Sequence, residues 1–398
     1  MTLFDKFKGL EAARVALREA GIDPFNLTLD RIFSATEAEI RGRRTILAGT
    51  NNYLGLTFDP DCIEASVTAV REQGTGTTGS RMANGTFAGH VALEREFAEF
   101  YGQRGAIVFS TGYIANLAML STLAGPDDTI LLDADSHASI YDGCRLGGAK
   151  VVRFRHNDTH DLEKRLRRLG QDASTTLVVV EGIYSMLGDV APLAEIAAIK
   201  KRYGACLLVD EAHSLGILGK TGRGLSEEVG VEADVDFIVG TFSKSLGATG
   251  GYCVSNHPEL DAIRYAGRPY IFTASPSPSV IASTRKALQV LRTRPELRTR
   301  LWDNARTVYS RLSELGFTLG PQVSPVVAVR LADKSQAFAA WKQLLEQGIY
   351  VNLILPPAAP EGGALLRCSL SAAHTLEQLD RITDAFATLQ TALATHTA

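Results

Sequence analysis

No two of the five cysteines (Cys62, Cys144, Cys206, Cys253, Cys368) form a C-x-x-C pair, and their number is odd. Neither a structural zinc site nor a disulfide framework is expected, and a reducing compartment fits. No apolar run approaches the roughly 18 residues that a membrane-crossing helix needs. The opening MTLFDKFKGLEAARVALREAG contains no apolar h-region, so no secretory leader is expected. An excess of one charge is missing too. Against 41 basic residues stand 44 acidic ones, a net of -3, which offers nucleic acid no field to follow. No cluster has metal-ligand spacing, so no metal is expected, and no G-x-S-x-G elbow occurs. Together these absences point to a cytoplasmic protein that works without metal or nucleic acid.

What is present is ordinary globular material. With 398 residues, 45% of them hydrophobic and 21% charged, the chain should hold two or three domains around a large core. Leu3, Phe4, Phe7, Leu10 and Val15 recur near helical spacing. They predict a helix packed on the body or on a second copy of the chain. A helix lying on a membrane surface is the alternative, which leaves peripheral contact with the inner membrane face open.

Through the middle of the chain, β-branched apolar runs alternate with helical patterns. The runs are AIVFS (106–110), TILLDAD (129–135), KVVRF (150–154), TLVVVEG (176–182), CLLVDEAH (206–213) and DFIVGTF (236–242). Short, nearly continuous hydrophobic strands of this kind are covered by helices on both faces. The fold class is therefore α/β with a mostly parallel sheet. GGYCVS (250–255) adds a strand that follows its predecessor so closely that an antiparallel placement is the natural one. Beyond about residue 280 a long polar helical region precedes short strands such as VVAVRL (326–331), a helix at 335–347 and a final helix. This predicts a smaller α+β domain, with boundaries at 1–50 for an N-terminal segment, 51–280 for the large domain and 281–398 for the small one. The charges along 285–312 are expected on a solvated helix face.

GTGTTG (74–79) matches the dinucleotide pattern G-x-G-x-x-G. That fingerprint requires a strand before it and a helix opening out of it. Here Ile63, Val67 and Val70 give the preceding segment helical spacing, and SRMANGTFAG follows. An NAD-binding dehydrogenase is thereby disfavoured. A loop shaped by missing Cβ atoms, where backbone approaches a ligand closely, fits better.

The stronger signals lie at strand ends, where open α/β sheets bind ligands. FIVGTFSKSLGATGGY puts Lys244 just past one apolar strand, and CLLVDEAHS runs another straight into Asp210 and His213. A carboxylate ending so apolar a run needs a partner. A protonated pyridine nitrogen is one, and enzymes of pyridoxal 5'-phosphate (PLP) pair a Schiff-base lysine with an Asp on that nitrogen. His137, just after TILLDAD, offers a flat imidazole to stack on a planar cofactor. FSTGYIANLAML reads as strand, turn and helix, so free N–H groups at Gly112 and Tyr113 would face an anion. A phosphate is the natural occupant, with Thr241 and Ser243 as added hydroxyl donors.

DEAHSLGILGKTGRG, TFSKSLGATGGY, DADSHASIYDG and EGIYSMLGD, in this order and spacing, resemble the α-oxoamine synthases. These are PLP enzymes of the aspartate-aminotransferase-like fold type I. The similarity runs from NNYLGL to LLRCSLSAAHT. The resemblance implies a homodimer with its active site at the interface. It also implies condensation of an amino acid with an acyl thioester and loss of CO2. GTGTTGSRMANGT, VVRFRHND and RPYIFTAS most resemble the members that use L-serine and a long-chain acyl group on coenzyme A or an acyl carrier protein. Members using glycine or alanine are the alternative: 2-amino-3-ketobutyrate ligase, 8-amino-7-oxononanoate synthase and 5-aminolevulinate synthase.

By this resemblance Lys244 forms the Schiff base and moves protons, Asp210 pairs with the ring nitrogen, and His137 stacks on the ring. His213 touches the ring hydroxyl with Ser185 close by. Gly112, Tyr113, Thr241 and Ser243 hold the phosphate, which Thr273 and Ala274 reach from the other subunit. Asn52 and Arg367 lie on the substrate side, and Ser80 and Arg81 flank a substrate wall shaped by GTGTTG. One departure stands out. Family members commonly carry an arginine before a Pro-Pro pair to bind the amino-acid carboxylate, but here LILPP places Leu355 there. An aliphatic side chain cannot make a bidentate carboxylate contact.

Overall fold

The computed structural model describes residues 2–19, 23–24, 26–356, 359 and 362–396. Seven strands form the central sheet: β1 (Gly105–Phe109), β2 (Thr129–Asp133), β3 (Lys150–Phe154), β4 (Thr176–Glu181), β5 (Cys206–Asp210), β6 (Phe237–Thr241) and β7 (Gly251–Ser255). All seven expected runs are strands. Their order across the sheet is β1-β7-β6-β5-β4-β2-β3. β2 through β6 pair in parallel, whereas β7 pairs antiparallel with both β1 and β6.

Side-chain alternation explains why these strands read as continuous apolar runs. Leu131, Val178, Val180, Leu207 and Val209 face one core, together with Leu193, Ile196 and Ile199 of a covering helix. Ile130, Leu132, Leu177, Val179 and Leu208 face the other, against Ala115, Ala118, Met119 and Leu120. Successive residues thus point to opposite faces and both faces are dry. Burying each such side chain is worth about 1.5–3 kcal/mol.

The polar helical region resolves into two helices, Pro278–Thr293 and Glu296–Glu314. Its charges are less solvated than their pattern implied. Arg285 pairs with Glu96, and Arg294 with Asp59 and Asp61, because the first of these helices packs on both helix Ala88–Tyr101 and helix Pro60–Gln73. Three antiparallel strands (Val326–Leu331, Ala364–Ser369, Asn352–Ile354) follow, flanked by helices Lys334–Glu346 and Leu376–His396. Strand Arg43–Leu47 pairs in parallel with Ile349–Tyr350. Residues 48–53 then run along the end of strand Ala364–Ser369, where Ala48 O accepts from Ser369 N–H and Tyr53 O from Ala372 N–H, both at 2.7 Å. That path carries Asn51 to Arg367 and Tyr53 to His213.

The helix expected at the N-terminus forms over Lys8–Glu19. Among its described side chains, Leu10 and Val15 are 69% and 43% exposed, and Leu3 and Phe4 ahead of it are 71% and 72% exposed.

Candidate active site

The carboxyl ends of five strands converge on one cavity of about 240 Å³, bounded by Gly112, Tyr113, His137, Asp210, His213, Thr241, Ser243 and Lys244. Register makes this happen. Glu181 and Asp210 are paired across β4 and β5, and Asp210 sits opposite Val239 of β6, a few residues short of Lys244. Lys244 is held by its neighbour in the chain: Phe242 is fully buried and stacks on Phe97 at 5.5 Å and 5°.

At one end of the cavity, helix Gly112–Leu123 presents its N-terminus. Thr111 accepts from Ile114 N–H with its side chain and from Ala115 N–H with its carbonyl. The N–H groups of Gly112 and Tyr113 are left for an anion. Gly112 must be glycine here, because a Cβ would come within 2.7 Å of the Thr241 Cβ. The Thr241 and Ser243 hydroxyls lie 2.9 Å apart, and Thr241 Oγ1 donates to Gly250 O. Ser243 is therefore the freer donor of the two.

At the other end sits Asp210. Its two oxygens accept from Asn116 Nδ2 at 2.7 Å and Ala212 N–H at 2.9 Å. Asn116 also donates to Ser139 Oγ at 2.9 Å, and Ser139 lies 2.8 Å from His137 Nδ1. With its oxygen accepting, Ser139 gives its own proton to Nδ1, so His137 keeps N–H on Nε2. Burial, with Lys244 nearby and Asp210 opposing, lowers the His137 pKa and keeps the ring neutral.

The Lys244 side chain is partly accessible along the cavity, but its ammonium is enclosed. Loss of hydration pulls its pKa down to about 8, against the opposing carboxylates of Asp210 and Glu181. Glu181 is fully enclosed, and burial reinforced by Asp210 pushes it well above the usual carboxylate range. It accepts from the His137 backbone N–H. Burial, helped by Lys244 and Arg367, holds His213 well below the usual imidazole range.

Tyr53 fixes the tautomer of that neutral ring. Burial raises its phenol pKa, so it stays protonated, and its oxygen lies 2.8 Å from His213 Nδ1. With the phenol proton on this shorter contact rather than on the 3.4 Å one to Asn51 Oδ1, Nδ1 accepts and Nε2 carries the proton. Tyr53→Phe frees the other tautomer. Turnover should then fall about tenfold, the worth of one buried hydrogen bond, and the visible absorbance of the bound cofactor should titrate at a different pH. Absorbance recorded against pH on the purified variant checks this.

The remaining expected residues lie around rather than in this cavity. Ser185 lines an adjoining cleft of about 400 Å³ that shares His137. Arg367 is 5% exposed. Its Nε donates to Ser185 O, and both terminal nitrogens lie 3.2 Å from Asn51 Oδ1. Asn52 donates to Thr57 Oγ1 at 2.7 Å, while its buried Oδ1 has no partner. Leu355 packs against the core as an apolar residue. Pro357, the second of the Pro-Pro pair, lies outside the described residues.

GTGTTG begins a loop between helices Pro60–Gln73 and Ala88–Tyr101, not between a strand and a helix. A Cβ on Gly85 would meet Gly79 O at 2.2 Å, so the loop folds tightly back on itself. Ser275 clips it there, its N–H donating to Gly79 O at 3.0 Å and its Oγ to Gly85 O at 2.7 Å. Ser80, half-buried in this loop, and Thr273 and Ala274 beside the clip do not line this chain's own cavity. Arg81, expected at a substrate wall, is instead buried in an ion pair with Glu94 at 2.8 Å.

Sequence reasoning missed Glu181, Asn116, Asn51 and Tyr53. Glu181 ends the run TLVVVE just as Asp210 ends CLLVD, so the signal used for one was present for the other. Asn116 is a lone amide in an apolar helix.

The residues present fit PLP: an enclosed amine, a carboxylate at the opposite wall, neutral imidazoles, a helix N-terminus, and a buried Asn116 Oδ1 without a partner. The sequence profile of the family described as aminotransferase class I and II matches residues 44–386. A serine palmitoyltransferase of Caulobacter vibrioides is 58% identical over 393 residues, covering 99% of this chain and 97% of that protein. An 8-amino-7-oxononanoate synthase of Lysinibacillus sphaericus is 37% identical over 355 residues, covering 88% of this chain and 91% of that protein. A solved serine palmitoyltransferase variant from S. paucimobilis, with bound PLP and myriocin, superposes with a TM-score of 0.97 at 52% identity, covering 99% of this chain and 100% of that one.

Proposed function

The chain belongs to the aminotransferase class I and II family and, within it, to the α-oxoamine synthases, and on that premise we propose that it joins L-serine to a long-chain acyl thioester with loss of CO2. This is the serine palmitoyltransferase reaction, the first step of sphingolipid biosynthesis, and it makes the chain a PLP-dependent acyltransferase. The observation that carries the proposal is one cavity holding Lys244, Asp210 and a helix N-terminus, in a chain so close to the relatives named above.

When bound, PLP supplies an electron sink for the serine α-carbon. Lys244, whose pKa of about 8 leaves a fraction of neutral amine at neutral pH, anchors the cofactor's aldehyde. Once released, it takes the α-proton. Asp210 holds the ring nitrogen protonated. His137 covers the ring face and turns Nε2–H toward the serine carboxylate. His213 offers Nε2–H to the ring hydroxyl, with Ser185 close by. The N–H groups of Gly112 and Tyr113, with Ser243 and Thr241, hold the phosphate.

With Leu355 unable to bind a carboxylate, Arg367, Asn52 and His137 share that task. The Arg367 fork is already oriented by Asn51 and Ser185 O, and Asn52 serves through the second N–H of its Nδ2, since a carboxylate takes only donors. Thr273 and Ala274 serve the phosphate of a second copy of this chain, and the GTGTTG loop with Ser80 forms a wall of that copy's substrate site. Supporting a homodimer, Phe272 beside them is 74% exposed. The protein works in the cytoplasm, and among the described residues no helix is long and apolar enough to cross a membrane.

Turnover of serine with palmitoyl thioesters on coenzyme A and on an acyl carrier protein tests the reading and identifies the carrier. Serine should also shift the absorbance of the bound cofactor. If glycine or alanine shifts it and serine does not, the serine assignment falls in favour of the alternative family members.

A further inference from the structure

VVRFRHND carries a histidine that the site described so far does not use. His156 lies two residues beyond β3, between two carboxylates. Its Nδ1–H reaches Asp133 Oδ1 at 2.8 Å and its Nε2–H reaches Asp189 Oδ2 at 2.6 Å. Asp133, at the end of β2, is fully buried and also accepts from Asp135 N–H and Asn157 N–H, both at 2.9 Å. Asn157 Nδ2 donates to Asp189 at 3.0 Å, and the Tyr184 ring meets the imidazole edge-on at 4.5 Å. Both ring nitrogens donate, which only an imidazolium can do. Burial opposes the charge, but the two carboxylates outweigh it and raise the pKa to about 10.

The two acids belong to different walls of one cleft. Asp133 ends β2, and loop 134–137 then leads to His137, the N-cap of helix Ala138–Gly147. Asp189 closes the turn that carries Ser185, with Tyr184 N–H donating to Asp189 O at 2.8 Å and an isolated bridge between Ile183 and Val190. Residues 134–138 and 184–187 face each other across the cleft of about 400 Å³ that opens onto His137. Without a cation between them, two buried carboxylates repel, and a neutral imidazole, with a single N–H, satisfies only one. We infer that His156 is a positioning residue whose clamp on Asp133 and Asp189 sets the width of this cleft, and that the acyl thioester reaches the cofactor cavity through it. The inference rests on the condensation proposed above.

His156→Gln and Asp189→Asn, made in the holoenzyme, test it. KM for the palmitoyl thioester should rise about tenfold or more in each. The serine concentration that half-shifts the cofactor absorbance should change by less than about twofold, because Lys244 and Asp210 are untouched. Hydrogen exchange should quicken together at amides 134–138 and 184–188. An unchanged thioester KM in Asp189→Asn overturns the inference, as does equal weakening of serine and thioester, the mark of a merely structural role. Should the unmodified protein fail to condense serine with either thioester, the earlier reading falls by itself. The exchange measurement still decides the clamp, and two loops that exchange no faster overturn it.

Discussion

Lys244→Ala should abolish condensation, with turnover falling by at least about 10³-fold. Among the residues lining the cavity, Lys244 supplies the amine, and nothing else there can replace it as anchor or as base. The phosphate-binding N–H groups and Asp210 remain, so the variant should still hold PLP, reversibly and without the covalent link. Borohydride reduction followed by peptide mapping reads this directly. The unmodified protein should carry the cofactor on the peptide containing residue 244, and the variant should carry none. Retained turnover would remove Lys244 from the mechanism. Loss of fold is not expected to confuse the result. With its pKa lowered from the ordinary 10.5 to about 8, the buried ammonium opposes folding below pH 8, and that penalty fades as the pH rises from there toward 10.5. Removing the group should leave the melting temperature at pH 7 unchanged or higher.

How much of this was legible in the sequence depends on how far each contact reaches along the chain. Six of the seven strands could be read because each is dry on both faces, and a run such as TLVVVE has no other reason to be so apolar; the edge strand Lys150–Phe154 is largely exposed and buries only Phe154. Asp210 and Lys244 could be read because a polar residue directly after such a run sits at the sheet's carboxyl edge. Glu181 obeyed the same rule and needed only the same attention. Tyr53 could not be read this way. Its partner His213 is 160 positions away, and it arrives there through the pairing of Arg43–Leu47 with Ile349–Tyr350 and the alignment of residues 48–53 with strand Ala364–Ser369. Asn51 meets Arg367 across 316 positions for the same reason. The ion pairs of Arg285 and Arg294 were hidden likewise, since a charged helix face looks solvated until another helix is laid on it. For GTGTTG, the neighbouring helical periodicities were enough to exclude a dinucleotide site. What tightens the loop, the Ser275 clip, comes from nearly two hundred residues downstream.

Asp210→Asn should lower condensation by about 10²–10³-fold, the usual cost of removing one preorganised electrostatic partner. The carboxylate accepts from two donors at once, Asn116 Nδ2 and Ala212 N–H. Both oxygens are thus engaged as acceptors, and a negative charge at this position is what would keep a ring nitrogen protonated. An amide has one oxygen for two donors, so one donor faces an NH2 group. It also carries no charge to hold a proton on the ring. Both α-proton removal and condensation need the ring to accept electrons from the serine α-carbon. Exchange of the serine α-proton with deuterated solvent, measured without thioester, should then fall as far as condensation does. Undiminished exchange would show that Asp210 does not serve the ring nitrogen. The charge change has a second, independent consequence. Asp210 is the largest influence opposing the burial of Lys244, so without it the lysine pKa falls further below about 8. Reaction of the Lys244 amine with added cofactor, followed by absorbance against pH, should therefore begin at lower pH in the variant. A midpoint that stays in place or moves upward would mean that the carboxylate and the ammonium do not share the cavity in the way their positions imply.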